Sequence, residues 1–203
     1  LGVKRPCDTC FAYDVRQAIW ARIGDLNFGR VFHSLVVCQG KLYAVGGQGA
    51  DERVLSSVEC YEPSVKVWTV VHGHFCCPRM AAGAVLERGA LLIVAGGVVT
   101  NEKVSQAVYV TDEVNAIRLP DMTKSSGKFP HLPTPRLSCE AVALADGTIV
   151  ILGGLTFTGG VYYESVAEVL ALQPGSNQWS KLPALPSRRH DFSALAVGRS
   201  LIS

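Results

Sequence analysis

The sequence predicts an all-β fold built from repeated units of about fifty residues, and three observations carry the prediction. Short apolar runs end on paired glycines at Gly46-Gly47, Gly96-Gly97 and Gly153-Gly154, and each pair begins 16 or 17 residues after an arginine. Those arginines, Arg30, Arg79 and Arg136, are followed by a fourth, Arg189, at successive separations of 49, 57 and 53 residues. Finally, a glycine beside a polar residue divides paired apolar runs, as hairpins require when their turns need positive φ. A strand-rich repeat of this length points to the blades of a β-propeller and away from a helical solenoid.

Each element follows from local chemistry. Val31 to Val37 is largely apolar, Gln39-Gly40 supplies a turn, and Lys41 to Val45 resumes the run. Arg88-Gly89, Asp146-Gly147 and Gly198-Arg199 are the equivalent turns. Leu91 to Ala95 and Thr148 to Leu152 are apolar without alternation, the pattern of strands buried on both faces, which stacked blades would provide. Paired glycines suit the point where the chain leaves a crowded strand with no room for a Cβ. No stretch of useful length has helical periodicity.

The second half of each unit repeats too. Tyr13 precedes Trp20 by seven residues, as Tyr61 precedes Trp68 and Leu172 precedes Trp179. In the remaining unit Val110 and Ile117 keep the spacing with other residue types. The order is arginine, strand, tight turn, strand, Gly-Gly, loop, strand with Tyr, turn, strand with Trp. This order resembles the kelch repeat over nearly the whole chain, from about Phe11 onward. The resemblance implies a four-stranded blade, usually one of about six in a ring. It also implies a protein-interaction scaffold or adaptor, with other proteins as partners, either through an acidic peptide motif or through the cytoskeleton. No cofactor is implied.

On this frame residues 1–29 supply the last strands of a partial blade, and 30–78, 79–135 and 136–188 are blades, the second with a long C-terminal loop. Residues 189–203 begin a further blade. The two remnants can join as one split blade of a four-bladed ring, or the chain can be a piece of a larger propeller. Ending inside the apolar run Leu201-Ile202 favours the piece.

Composition narrows the function classes. At 48% hydrophobic residues the chain can bury a sizeable core, yet no apolar run approaches the roughly 20 residues of a membrane helix. The net charge of +2, from scattered basic residues, gives no support to nucleic-acid binding. Seven cysteines, an odd number, with Cys38, Cys60 and Cys139 inside apolar stretches, read as a reducing, cytoplasmic setting. Cys7 and Cys10 form a C-x-x-C, and His72 and His74 precede Cys76 and Cys77. Neither group has the paired ligand spacing of a zinc site, so no metal is assigned.

Candidate binding residues come from the repeat and from its interruptions. Arg30, Arg79, Arg136 and Arg189 either bond within their own blades or ring the mouth of a central channel. In kelch adaptors of ubiquitin ligases, arginines of these segments hold acidic peptides, a task that suits a bidentate guanidinium. The segments 121–135 and 155–163 break the rhythm. Loops between second and third strands and loops between blades emerge on one face, so both enlarge it, and Phe157, Tyr162 and Tyr163 offer aromatic surface there. Catalytic motifs are absent: no G-x-S-x-G elbow, no H-E-x-x-H, no phosphate loop. Carbohydrate oxidases and sugar mutarotases resemble this fold, so an enzyme is the alternative reading. The oxidase would need converging histidines and tyrosines, and Tyr13 and Tyr61 occupy structural positions instead.

Overall fold

In the computed structural model, which describes residues 6–71, 78–101, 107–125, 128–157, 162–197 and 200–203, every named regular element is a strand. Strands β1 (Phe11–Asp14) and β2 (Ile19–Arg22) pair antiparallel, with Tyr13 opposite Trp20. A four-stranded antiparallel sheet follows in simple sequence order: β3 (Ser34–Cys38), β4 (Lys41–Val45), β5 (Val58–Glu62) and β6 (Val67–Val70). The next sheet takes β7 (Gly83–Glu87) and β8 (Leu91–Ala95) and sets aside the hairpin of β9 (Val98–Asn101) and β10 (Ala107–Val110). It then adds β11 (Val114–Arg118) and β12 (Thr123–Lys124). The third repeats the plan with β13 (Glu140–Ala143) and β14 (Ile149–Leu152), a hairpin of β15 (Leu155–Phe157) and β16 (Tyr163–Ser165), then β17 (Val169–Leu172) and β18 (Ser180–Leu182). Strands β19 (Leu195–Val197) and β20 (Ser200–Ile202) form a closing pair. The architecture is all-β and kelch-like, as the repeat predicts.

The short turns show why those dipeptides stand where they do. Gln39 and Gly40 have φ of 51° and 77°, and Arg88 and Gly89 have 47° and 72°, so both turns place two successive residues in the left-handed region. The Asp146-Gly147 turn is different: only Gly147 is left-handed, and the Asp146 carboxylate accepts the Thr148 N–H at 2.8 Å. Gly198-Arg199 lies outside the described residues, as do His72, His74, Cys76 and Cys77.

The core lies in the seams between sheets. Along β8, Leu92 and Val94 pack with Val36, Tyr43, Val45 and Val58 of the preceding sheet, while Ile93 and Ala95 pack with Ile149, Ile151 and Leu170 of the following one. Successive strand residues point to opposite faces, so an unbroken apolar run fills two seams at once. A third seam joins Val150, Leu152 and Val169 to Ala194, Ala196 and Leu201. Trp68 is only 6% exposed, in a seam with Leu26, Ala44 and Tyr61, and its ring lies 5.3 Å from that of Tyr61. Trp179 is half-buried over the second seam and donates its indole N–H to the Pro130 carbonyl at 3.0 Å. Tyr13 and Trp20 keep the same mutual geometry, at 5.2 Å, but are exposed.

One alignment from sequence is corrected. Val110 lies in the extra hairpin, not in the third strand of its sheet. Ile117 takes the place of Tyr61: it pairs with Leu92 and Lys124 as Tyr61 pairs with Leu42 and Trp68. The seven-residue step fits twice in succession, Val110 to Ile117 and Ile117 to Lys124, and spacing alone cannot choose between them.

Candidate functional site

The arginines and glycines form a latch that locks each sheet to the next. Arg30 Nη1 donates to the Gly46 carbonyl at 2.6 Å, Arg79 Nη1 to that of Gly96 at 2.6 Å, and Arg136 Nη1 to that of Gly153 at 3.2 Å. The carbonyl of the next arginine meanwhile accepts the second glycine's N–H: Gly47 to Arg79, Gly97 to Arg136 and Gly154 to Arg189, at 2.7–2.9 Å. A Cβ on Gly96 would stand 2.4 Å from the Arg136 carbonyl oxygen, and its φ is 65°, so both space and backbone demand glycine. Carboxylates neutralise the buried cations. Glu59 meets Arg30 at 2.6 Å with both side chains fully buried, Glu113 meets Arg79 at 3.3 Å, and Glu168 meets both Arg136 and Lys181.

This geometry corrects the placement of Arg30, Arg79 and Arg136 at a partner-binding mouth. They are 0–3% exposed, with their guanidinium groups turned into their own sheets. Satisfying several inward carbonyls and a carboxylate outweighs exposing a charge, because a buried guanidinium must be bonded to be tolerated. Arg189 is half-buried, bonds Ser187 and Ser203, and stands 5.8 Å from the centroid of the Phe192 ring.

Two residues past each arginine a second device links the successive units. Phe32, Ala81, Ser138 and Asp191 all have φ of 50–56°. Their backbones are chained: Ala81 N–H donates to Phe32 O, Ser138 N–H to Ala81 O, and Asp191 N–H to Ser138 O, at 2.8–3.2 Å. The starts of β3, β7, β13 and the segment before β19 thus converge on a cavity of about 360 Å³ lined by Phe32, His33, Leu35, Ser138, Glu140 and Asp191, among others. Burial pushes the Glu140 carboxyl up to about 7, against which an N–H of Ala194 acts only weakly. Burial and the neighbouring Arg30 hold His33 below the usual imidazole range, and its Nδ1 is buried with no hydrogen-bond partner. Sequence reasoning missed Glu140 because a lone acid after Cys139 breaks no pattern.

The same face carries the two extra hairpins, since both leave from the Gly-Gly ends of second strands. Phe157 and Tyr163 are opposite each other across β15 and β16, with rings 5.8 Å apart edge to face. They are 53% and 54% exposed, and Tyr162 is 79% exposed. Gly159 and Gly160 lie outside the described residues. The hairpin β9–β10 presents Val108 and Tyr109, which the sequence reading did not select, although β-branched residues on either side of a polar stretch could have marked it. The segment 121–135 contributes less surface than its composition suggests. Thr123–Lys124 is the fourth strand of its sheet, Leu132 is buried in the second seam, and Phe129 packs against it.

Among the described residues no group of three or more His, Cys, Asp or Glu side chains is placed to hold a metal ion. Among the described residues no helix is long and apolar enough to cross a membrane.

Blades joined by a repeated arginine–diglycine latch define a β-propeller of the kelch type. The KLHDC2/KLHL20/DRC7 Kelch-repeats domain matches residues 4–203, and the chain belongs to the kelch-repeat family. Kelch-like protein 26 of Danio rerio is 30% identical over 96% of this chain and 30% of its own length. Kelch-like protein 35 of Mus musculus is 30% identical over 83% of this chain and 25% of its own. Beta-scruin of Limulus polyphemus is 24% identical over 91% of this chain and 19% of its own. The chain therefore spans less than a third of the length of these relatives. The solved structure of YjhT superposes with a TM-score of 0.79 at 16% identity, covering 95% of this chain and 67% of that one, which speaks for the fold alone.

Proposed function

We propose that this chain is a protein-interaction module that docks a partner on the face bearing the hairpins β9–β10 and β15–β16. The observation that carries the reading is the Phe157–Tyr163 pair, held edge to face by strand pairing yet more than half exposed. Rigid aromatic side chains bury large area on binding at small entropic cost, and they dominate interface energetics. Tyr162 and Tyr109 extend the apolar area on the same face. The kelch-like relatives favour a scaffold or adaptor role over the oxidase or mutarotase alternative. Arg30, Arg79 and Arg136 are not part of the docking surface, and an acidic peptide has no support from them.

Site-specific photocrosslinking tests the reading. A benzoylphenylalanine at position 163 should capture bound partner from the native complex, while the same group at position 39, on the opposite turns, should not. The triple variant F157A/Y162A/Y163A should keep its unfolding midpoint and lose the partner. Crosslinks formed only from position 39 would place the interface on the other face.

A further inference from the structure

We propose that the axial cavity receives one cationic side chain of a protein partner, an arginine or lysine, held between Glu140 and Asp191. The inference rests on the reading that this face meets proteins, and it reverses the sign of the charge expected there. Arg30, Arg79 and Arg136, which would have attracted an acid, are turned inward and paired with carboxylates. Among the described residues, the cavity is lined instead by two carboxylates, Glu140 and Asp191, and one basic side chain, His33, whose burial and neighbouring Arg30 disfavour its protonation.

Glu140 is the half-buried and uncompensated carboxylate, while Asp191 stands exposed at the rim. Glu140 takes part in no ion pair among the described residues and accepts only a backbone N–H from Ala194. Asp191 has a distant contact, 3.9 Å, with His190. A half-buried carboxylate without a counter-ion is unfavourable, and a cation brought by a partner offsets that penalty through charge-assisted hydrogen bonds. Phe32 and Leu35 are 59% and 57% exposed at the cavity, giving an aromatic face and an apolar ledge for the methylene arm of such a side chain. At about 360 Å³ the space lies at the small end of ligand pockets, which run to roughly 300–1,000 Å³. The chained left-handed residues Phe32, Ala81, Ser138 and Asp191 fix the rim, so the acids are presented by a rigid frame.

The test uses the whole chain carrying ¹³C-carboxyl glutamate, titrated with N-acetyl-arginine methylamide, its neutral citrulline isostere and the glutamate analogue. The arginine probe should shift the Glu140 resonance saturably and lower its titration midpoint, with the citrulline probe at least tenfold weaker and the glutamate probe silent. E140Q should abolish saturable binding of the arginine probe. D191N, in which asparagine suits the left-handed backbone, should weaken it several-fold. E62Q, on the opposite turns, should leave it unchanged. Equal binding of citrulline, unchanged binding in both E140Q and D191N, or preference for the glutamate probe would overturn the proposal. Because the probes do not involve the hairpins, such a failure leaves the photocrosslinking result intact, and failure of the crosslinks leaves the cavity result intact.

Discussion

Replacing Arg30 with methionine should destabilise the protein without touching a partner surface. The Glu59 carboxylate is fully buried and accepts four hydrogen bonds: from Arg30 at 2.6 Å, from the Asn27 backbone at 2.6 Å and side chain at 2.9 Å, and from the Phe28 backbone at 3.1 Å. Removing the guanidinium leaves that charge with three neutral donors and strips a donor from the Gly46 and Ser57 carbonyls. Breaking a buried pair by deleting one member costs roughly 3–5 kcal/mol. With domain stabilities of about 5–15 kcal/mol, the loss is a large share of the total. Urea unfolding followed by circular dichroism should show the midpoint falling by about 1–3 M with an unchanged slope. The double variant R30M/E59Q should recover about 2 kcal/mol or more, since the uncompensated charge is gone. If R30M unfolds within about 1 kcal/mol of the parent while its partner is lost, the arginine is a surface ligand and the latch is wrong.

Further outcomes follow from the same geometry. Gly96→Ala should cost about 1–3 kcal/mol, from its φ of 65° and the 2.4 Å approach of its Cβ to the Arg136 carbonyl, as read from thermal unfolding; an unchanged midpoint would deny the close approach. Trp68→Ala should cost roughly 3–5 kcal/mol, whereas Trp20→Ala should stay within about 0.5 kcal/mol because its ring is exposed. Iodide should accordingly quench Trp20 and spare Trp68, and the reverse order would refute the seam assignment. Glu140→Gln should stabilise the protein at pH 8 by about 1 kcal/mol after allowance for solvent screening, a rise of about 2–4 °C. The Glu140 carboxyl ionises near 7 when folded but near 4.5 when unfolded, so its penalty grows as pH rises through that window and vanishes below it. His33 and Asp191 line the same cavity, and neither reverses that direction, which burial sets against the opposing Ala194 N–H. A stabilisation at pH 4 equal to that at pH 8 would contradict the cause assigned.

How much of this was legible in the sequence depends on the range of each interaction. The turns at Gln39-Gly40 and Arg88-Gly89 are local, and two adjacent residues suffice to encode them. The extra hairpin β9–β10 was not read, because its strands interrupt the seven-residue step that elsewhere marks the third and fourth strands. The partners of the arginines were hidden as well. Glu59, Glu113 and Glu168 lie 29, 34 and 32 residues downstream, at no constant offset and in two different repeat positions. A carboxylate can reach the same guanidinium from either of two neighbouring places, so the electrostatic requirement conserves the contact and not the spacing.

The sequence by itself determined the Gly-Gly positions and the kelch architecture, because these rest on steric demands that recur at every copy. The apolar runs buried on both faces were equally plain, since a strand that fills two seams must be apolar at every residue. Only the tertiary structure decided which way the arginines point, and with them the charge of the axial mouth. That choice depends on whether inward carbonyls and acids from distant strands arrive within hydrogen-bond range of the guanidinium. Once they do, leaving them unsatisfied would cost more than withdrawing the charge from water, and the mouth is left to Glu140 and Asp191.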